Sequence, residues 1–432
     1  MRKMRISTFL GLVGSISGLD ILYSENDGSP YCANFSTFTT DLDHFSFDDR
    51  KIDIRVITDD RFYEAGGPVL FYTGNEGAIE LFCENTGFQR EAGEELKAKI
   101  IFMEHRYYGK SIPDSNNTFL TAEQALADYA DYLDQLKRNT DVGPVIALGG
   151  SYGGMLAAYI RLKYPNIIAG SIAASAPVKF FPGQFDCRGF YRVTTRTFAN
   201  TPAGEVCADN IRDSWAVIKQ IGSHMVGKKL LSDTFRTCNV ITDTAQLTDF
   251  LQDVWGSLAM MDYPYPTNFM GDVPGWPVNK ACEHLDKKYD QMDLLDAVHQ
   301  GKVSSEGQLI LVLIHRILKP LTAAQVYYNY TGGMDCLDLG GGGDAPDLGY
   351  DAWYYQTCTE FVMPFCADGK QDMFLPSEFN FEDYKQNCIE TFGTYPRKGN
   401  FHIIFEEPNS GESLFLIKKY DDAFCENHIR LA

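Results

Sequence analysis

The chain has 432 residues, 44% of them hydrophobic, and a formal net charge of −20. That length exceeds what one hydrophobic core usually spans, so a core domain with an inserted or appended second domain is expected. The acidic balance argues against nucleic acid and anionic lipid as partners, since both need a basic surface that releases counterions, and it suits work in acid, where part of the self-repulsion titrates away.

In chain order, Arg2, Lys3 and Arg5 precede an apolar run from Ile6 to Ile16, followed by the small residues Ser17 and Gly18. This is the layout of a secretory signal peptide over residues 1–18. No other stretch approaches the ~18 consecutive apolar residues of a membrane span. In a first core segment, 30–184, strand-like runs at Pro68 to Tyr72, Lys99 to Met103, Val145 to Leu148 and Ile167 to Ala174 alternate with helix-like stretches. The helical stretches are Ala78 to Phe88, Ala122 to Arg138 and Met155 to Tyr164, and such alternation predicts a parallel sheet. Over 185–325 the pattern turns helical, as in Ile211 to Ile221, Ala245 to Met261 and Leu309 to Leu318, which predicts a helical insertion over the active-site face. Residues 326–432 return to the core, with a surface loop around Gly340 to Gly343 and one more short strand at Phe401 to Phe405.

Eleven cysteines, spread from Cys32 to Cys425 without a Cys-x-x-Cys pair, fit scattered disulfides in an oxidising compartment and suggest neither zinc nor a redox dithiol, and no metal is expected. The odd count leaves one thiol over, with Cys32 and Cys425 as the candidates. Acceptor sequons at Asn34, Asn116 and Asn329 agree with a secreted or lysosomal glycoprotein.

The most informative segment is Val145-Ile-Ala-Leu-Gly-Gly-Ser-Tyr-Gly-Gly-Met155, a buried strand, an abrupt turn carrying Ser151 and then a helix. Gly149 and Gly153 stand two residues either side of the serine, where a side chain would block strand against helix. This is the arrangement of a nucleophile elbow, so the fold class is α/β, an α/β-hydrolase core with an inserted helical cap, and Ser151 is the expected nucleophile. The Tyr152 amide is one expected oxyanion donor, and the second comes from Thr73-Gly-Asn-Glu-Gly77, through Gly74 or Asn75. The chain order Ser, acid, His sets aside His44 and His105 as bases, and the polar cluster around His105 reads as a brace for loops.

Gly149-Gly-Ser-Tyr-Gly-Gly-Met155, Glu104-His-Arg-Tyr-Tyr-Gly-Lys-Ser111, Thr73-Gly-Asn-Glu-Gly77 and Ser175-Ala-Pro177 together resemble the prolyl carboxypeptidase and dipeptidyl peptidase II family. Within it, Tyr355-Gln-Thr-Cys-Thr-Glu-Phe-Val-Met-Pro-Phe-Cys366, Asp372-Met-Phe374, Tyr265-Pro-Thr-Asn-Phe269 and Gly275-Trp-Pro277 look like the Pro-X carboxypeptidase branch. The resemblance implies a serine exopeptidase, needing no cofactor, that removes a carboxyl-terminal residue after proline. It also implies Met155 and Met363 as linings of the proline pocket, ordinary core packing being the other reading of both, and a homodimer as the family's frequent state.

The resemblance runs from Asp43 to Arg397 and stops. From about 398 neither the family's Asp-Pro-Trp segment nor its histidine block is present, as a truncated or alternatively spliced reading frame would produce. Glu406, Glu407 and Glu412 are then the candidate acids, Glu407 foremost, and His428 the candidate base. Two other readings follow, a catalytically impaired homologue that binds peptides and a dipeptidyl peptidase acting on amino termini.

Overall fold

The computed structural model describes residues 30–114, 116–288, 320–339, 349–396 and 415–416. The signal peptide, the Leu309 to Leu318 helix, the Gly340 to Gly343 loop, the Phe401 to Phe405 strand, Glu407 and His428 all lie outside the described residues.

The strands are β1 (Phe35–Asp41), β2 (Lys51–Asp59), β3 (Val69–Thr73), β4 (Lys99–Met103), β5 (Val145–Gly150), β6 (Ile168–Ala174) and β7 (Phe415–Leu416). They form one sheet in the order β1-β2-β4-β3-β5-β6-β7. β1, β2 and β4 are antiparallel neighbours, and every pairing from β4 across to β7 is parallel. This is an α/β-hydrolase core. β3 and β4 are buried along their whole length because helices cover both faces, whereas β2 alternates exposed and buried residues as a half-solvated antiparallel strand does.

On one face lie α3 (Ala122–Asn139) and α4 (Ser151–Lys163). Their Ala125, Tyr129, Leu133, Leu156 and Ile160 share a core with Val69, Phe71, Ile101 and Ala147. α3 starts where the Thr121 side chain accepts from the Gln124 amide and ends on Lys137 and Arg138, which complement the helix dipole. The other face carries α1 (Ile79–Glu84) and α2 (Phe88–Leu96), where a single helix over Ala78 to Phe88 was expected. The break follows from Asn85 and Thr86, whose side chains bond back to the carbonyls of Leu81 and Phe82 and compete with the helical ladder.

Between β6 and the return to the sheet come α5 (Gly189–Ala199), α6 (Glu205–Ile221), α7 (Met225–Phe235), α8 (Thr244–Met260) and α9 (Pro277–Glu283). These helices have a core of their own around Phe198, Trp215, Leu251 and Trp255, and Met373 and Phe374 join it. The layer meets the sheet's helices at α1, where Phe269 packs edge-on against Phe82 and Thr267 donates to Asn85. The chain returns through α10 (Tyr350–Thr359) and α11 (Phe381–Phe392), and β7 pairs with Ser171 and Ile172 of β6.

Disulfides join Cys32 to Cys83, Cys187 to Cys366, Cys207 to Cys282, Cys238 to Cys336 and Cys358 to Cys388. Cys32 is therefore bonded and is not the leftover thiol. Cys187–Cys366 ties the approach to α5 to the segment after α10, and closing such long loops removes freedom from the unfolded chain.

Candidate active site

β5 runs to Gly150, and α4 begins at once with Ser151, whose φ is +53°. A side chain bearing a Cβ is strained there, so the surrounding packing must hold it. The glycines explain how. A Cβ on Gly149 would sit 2.2 Å from the Gly153 carbonyl oxygen, and one on Gly153 would sit 2.6 Å from both the Thr73 carbonyl oxygen and Asn75 Oδ1. Tyr152 to Ile160 are buried while Ser151 is exposed, so the turn turns one hydroxyl outward and anchors everything behind it. Among the described residues no hydrogen bond occupies that hydroxyl.

The loop after β3 abuts the elbow. Thr73 Oγ1 donates to the Gly153 carbonyl at 2.7 Å, and Asn75 Nδ2 donates to the Gly150 carbonyl at 3.0 Å, while Asn75 Oδ1 accepts from the Tyr72 hydroxyl at 2.9 Å. Gly74 does not meet the oxyanion expectation. Its amide donates to the Met103 carbonyl at 3.1 Å and its carbonyl accepts from Tyr129, so both polar groups are spent on structure. Among the described residues no main-chain acceptor takes the amides of Tyr152 or Asn75.

The Tyr152 side chain is fixed as firmly as its amide is open. Its hydroxyl donates to His105 Nε2 at 2.9 Å and accepts from Gln356 Nε2 at 3.1 Å, and its ring packs against Trp353 and Phe361. His105 Nδ1 lies 2.6 Å from the Arg106 carbonyl, which assigns the proton to Nδ1 and leaves Nε2 as acceptor. Burial lowers this histidine to about 4, so it stays neutral in an acidic compartment and acts as a brace. Gln356 also accepts from Tyr108 at 2.5 Å and donates to Glu360 at 2.7 Å, and Glu360 accepts from the Ala122 amide at the start of α3. Gln356→Leu is expected to cost about 2 kcal/mol in a thermal melt, because three buried partners lose a bond at once. It is also expected to lower kcat more than it changes KM, since it unseats Tyr152 without touching substrate.

Sequence reading missed Gln356 and Glu360, although their i, i+4 spacing on a helix was a visible sign of a polar pair on one face. Met155 departs from the pocket-lining expectation. It has no exposed surface and belongs to the core beneath the elbow, while Met363 is half-buried and packs against the same cluster. His44 is held by Asp128 at 2.7 Å, apart from the elbow's hydrogen bonds. Asn34 and Asn116 are exposed and Asn329 is half-buried.

The sequence matches the family described as serine carboxypeptidase S28 over residues 40–407. It is similar to lysosomal Pro-X carboxypeptidase of Pongo abelii, 40% identical over 375 residues that cover 83% of this chain and 71% of that protein. The Homo sapiens protein of the same name is 39% identical over 375 residues, with the same coverage of 83% and 71%. Prolyl carboxy peptidase like protein 5 of Caenorhabditis elegans is 35% identical over 381 residues, covering 82% of this chain and 70% of that one.

Proposed function

The chain belongs to the serine carboxypeptidase S28 family, whose members are serine peptidases, and from that premise we propose that it is a Pro-X carboxypeptidase releasing the residue after a penultimate proline. The observation that carries this reading is Ser151, exposed at a positive φ and set between two glycines whose places no side chain could take. Ser151 Oγ attacks the prolyl carbonyl and forms an acyl-enzyme, which water then hydrolyses. The amides of Tyr152 and Asn75 receive the developing oxyanion. The acid and base that take the Ser151 proton are unassigned, with Glu407 and His428 as the candidates that chain order alone offers. The helices α5 to α9 act as a cap over residues 185–325, Met363 bounds the proline pocket, and Met155 supports it from beneath. The protein works in the lysosome or outside the cell after removal of residues 1–18, glycosylated at Asn34, Asn116 and Asn329, and forms a homodimer.

The reading is tested near pH 5 with a peptide ending in Pro-Phe and with an alanyl-prolyl amide reporter. Release of phenylalanine by the full chain is the expected result. Turnover of the reporter alone makes it a dipeptidyl peptidase, and binding of the peptide without turnover makes it an impaired homologue.

A further inference from the structure

Ser175-Ala-Pro177 follows β6 and takes no part in the chemistry above. β5 and β6 are paired in register up to their ends, Gly150 opposite Ala174, so Ser151 and Ser175 leave their strands at the same level. Paired strands lie about 4.8 Å apart, which sets the two serines side by side at the carboxyl ends of the parallel strands. Their backbones match as well. Ser175 has a φ of +49° beside +53° for Ser151, both in the left-handed region that strains a residue bearing a Cβ. Packing holds Ser175 there, because a Cβ on Gly154 of α4 would sit 2.8 Å from the Ala174 carbonyl oxygen and 3.0 Å from the Ala176 Cβ. Val178 and Phe181 then anchor the loop in the core beneath the elbow. Ser175 itself is exposed, and among the described residues its hydroxyl has no hydrogen-bond partner.

β5 lies between β3 and β6. With Asn75, after β3, receiving the oxyanion, a tetrahedral centre on Ser151 turns its remaining substituents toward β6, where Ser175 stands. One of those substituents is the departing residue, which in a carboxypeptidase carries the free carboxylate. Lys179, exposed, is the only charged residue from Ser175 to Phe185, so in a chain of net charge −20 this loop is one that a carboxylate can approach. We propose that the Ser175 hydroxyl donates a hydrogen bond to the terminal carboxylate of the departing residue, and so selects free chain ends over amides. This rests on the Pro-X carboxypeptidase reading and names the group that recognises its chain end.

The test uses the full chain carrying Ser151→Ala, so that no peptide is turned over, with a peptide ending in Pro-Phe and the same peptide as its carboxyl-terminal amide. Adding Ser175→Ala, which keeps the Cβ, or Ser175→Gly, which adopts the same φ without strain, is expected to weaken binding of the acid about tenfold and to leave the amide within about twofold. In a chain that keeps Ser151, Ser175→Ala is expected to be labelled by a fluorophosphonate at the wild-type rate, because that probe has no carboxylate. Equal weakening of acid and amide, no weakening of either, or slowed labelling would each overturn the proposal, as would failure of the Ser151→Ala chain to bind the acid. If Ser151 is not labelled at all, the serine-peptidase reading falls by itself, and the acid-to-amide ratio still judges Ser175.

Discussion

Ser151→Ala is expected to lower kcat/KM on a Pro-Phe peptide by at least about 10⁴-fold and to abolish fluorophosphonate labelling, with peptide affinity little changed. The size follows from the role. Without the hydroxyl no acyl-enzyme forms, and what remains is binding and the two amides. A companion variant separates chemistry from folding. Ser151 holds φ at +53°, a conformation that glycine adopts without strain, so Ser151→Gly should be equally inactive yet more stable by about 1 kcal/mol in a melt. A stable, inactive glycine variant would show that strain is stored at the nucleophile. If Ser151→Ala keeps its rate, the acyl-enzyme mechanism is wrong.

The elbow was legible because its determinants are local. Glycines at fixed distances from one serine, with a strand before and a helix after, lie within a dozen residues. Much of what surrounds it is not local. Gly74 and Asn75 were equivalent candidates in sequence, and only the approach of Met103 from β4 shows that the Gly74 amide is already used. Gln356 reaches Tyr152 across 204 residues, a separation at which no spacing rule operates. The parallel strands β3 to β6 could be read because burial on both faces makes them continuous apolar runs. β1 went unread because Phe35–Asp41 is Thr-rich and mostly exposed, with weak alternation. The disulfides show the same limit, since their count was visible and their pairing depended on the fold.

Among the described residues the deepest ion pair lies one residue from the brace on Tyr152, and its removal should be among the costliest changes outside the elbow. Arg106 and Asp128 are both fully buried, joined by Nε to Oδ2 at 2.7 Å and by the second guanidinium nitrogen to Oδ1 at 2.6 Å. The same guanidinium donates to the carbonyls of Leu42 and Asp41, so it fastens the end of β1 to α3, and His44 bonds to Asp128 from outside. Asp128→Ala leaves a buried cation without its anion and is expected to cost about 3–5 kcal/mol, read as a lowered unfolding midpoint in denaturant. Arg106→Met should cost a similar amount by stranding the carboxylate. The double variant Arg106→Met/Asp128→Leu should cost less than either single one, because the attraction between two buried charges does little more than offset their desolvation. The Arg106 carbonyl also receives the His105 Nδ1 proton, so each single variant should slow Ser151 labelling as well. A double variant that costs the sum of the two single ones would show instead that the two charges are not coupled, and unchanged labelling would show that the brace on Tyr152 does not depend on the pair.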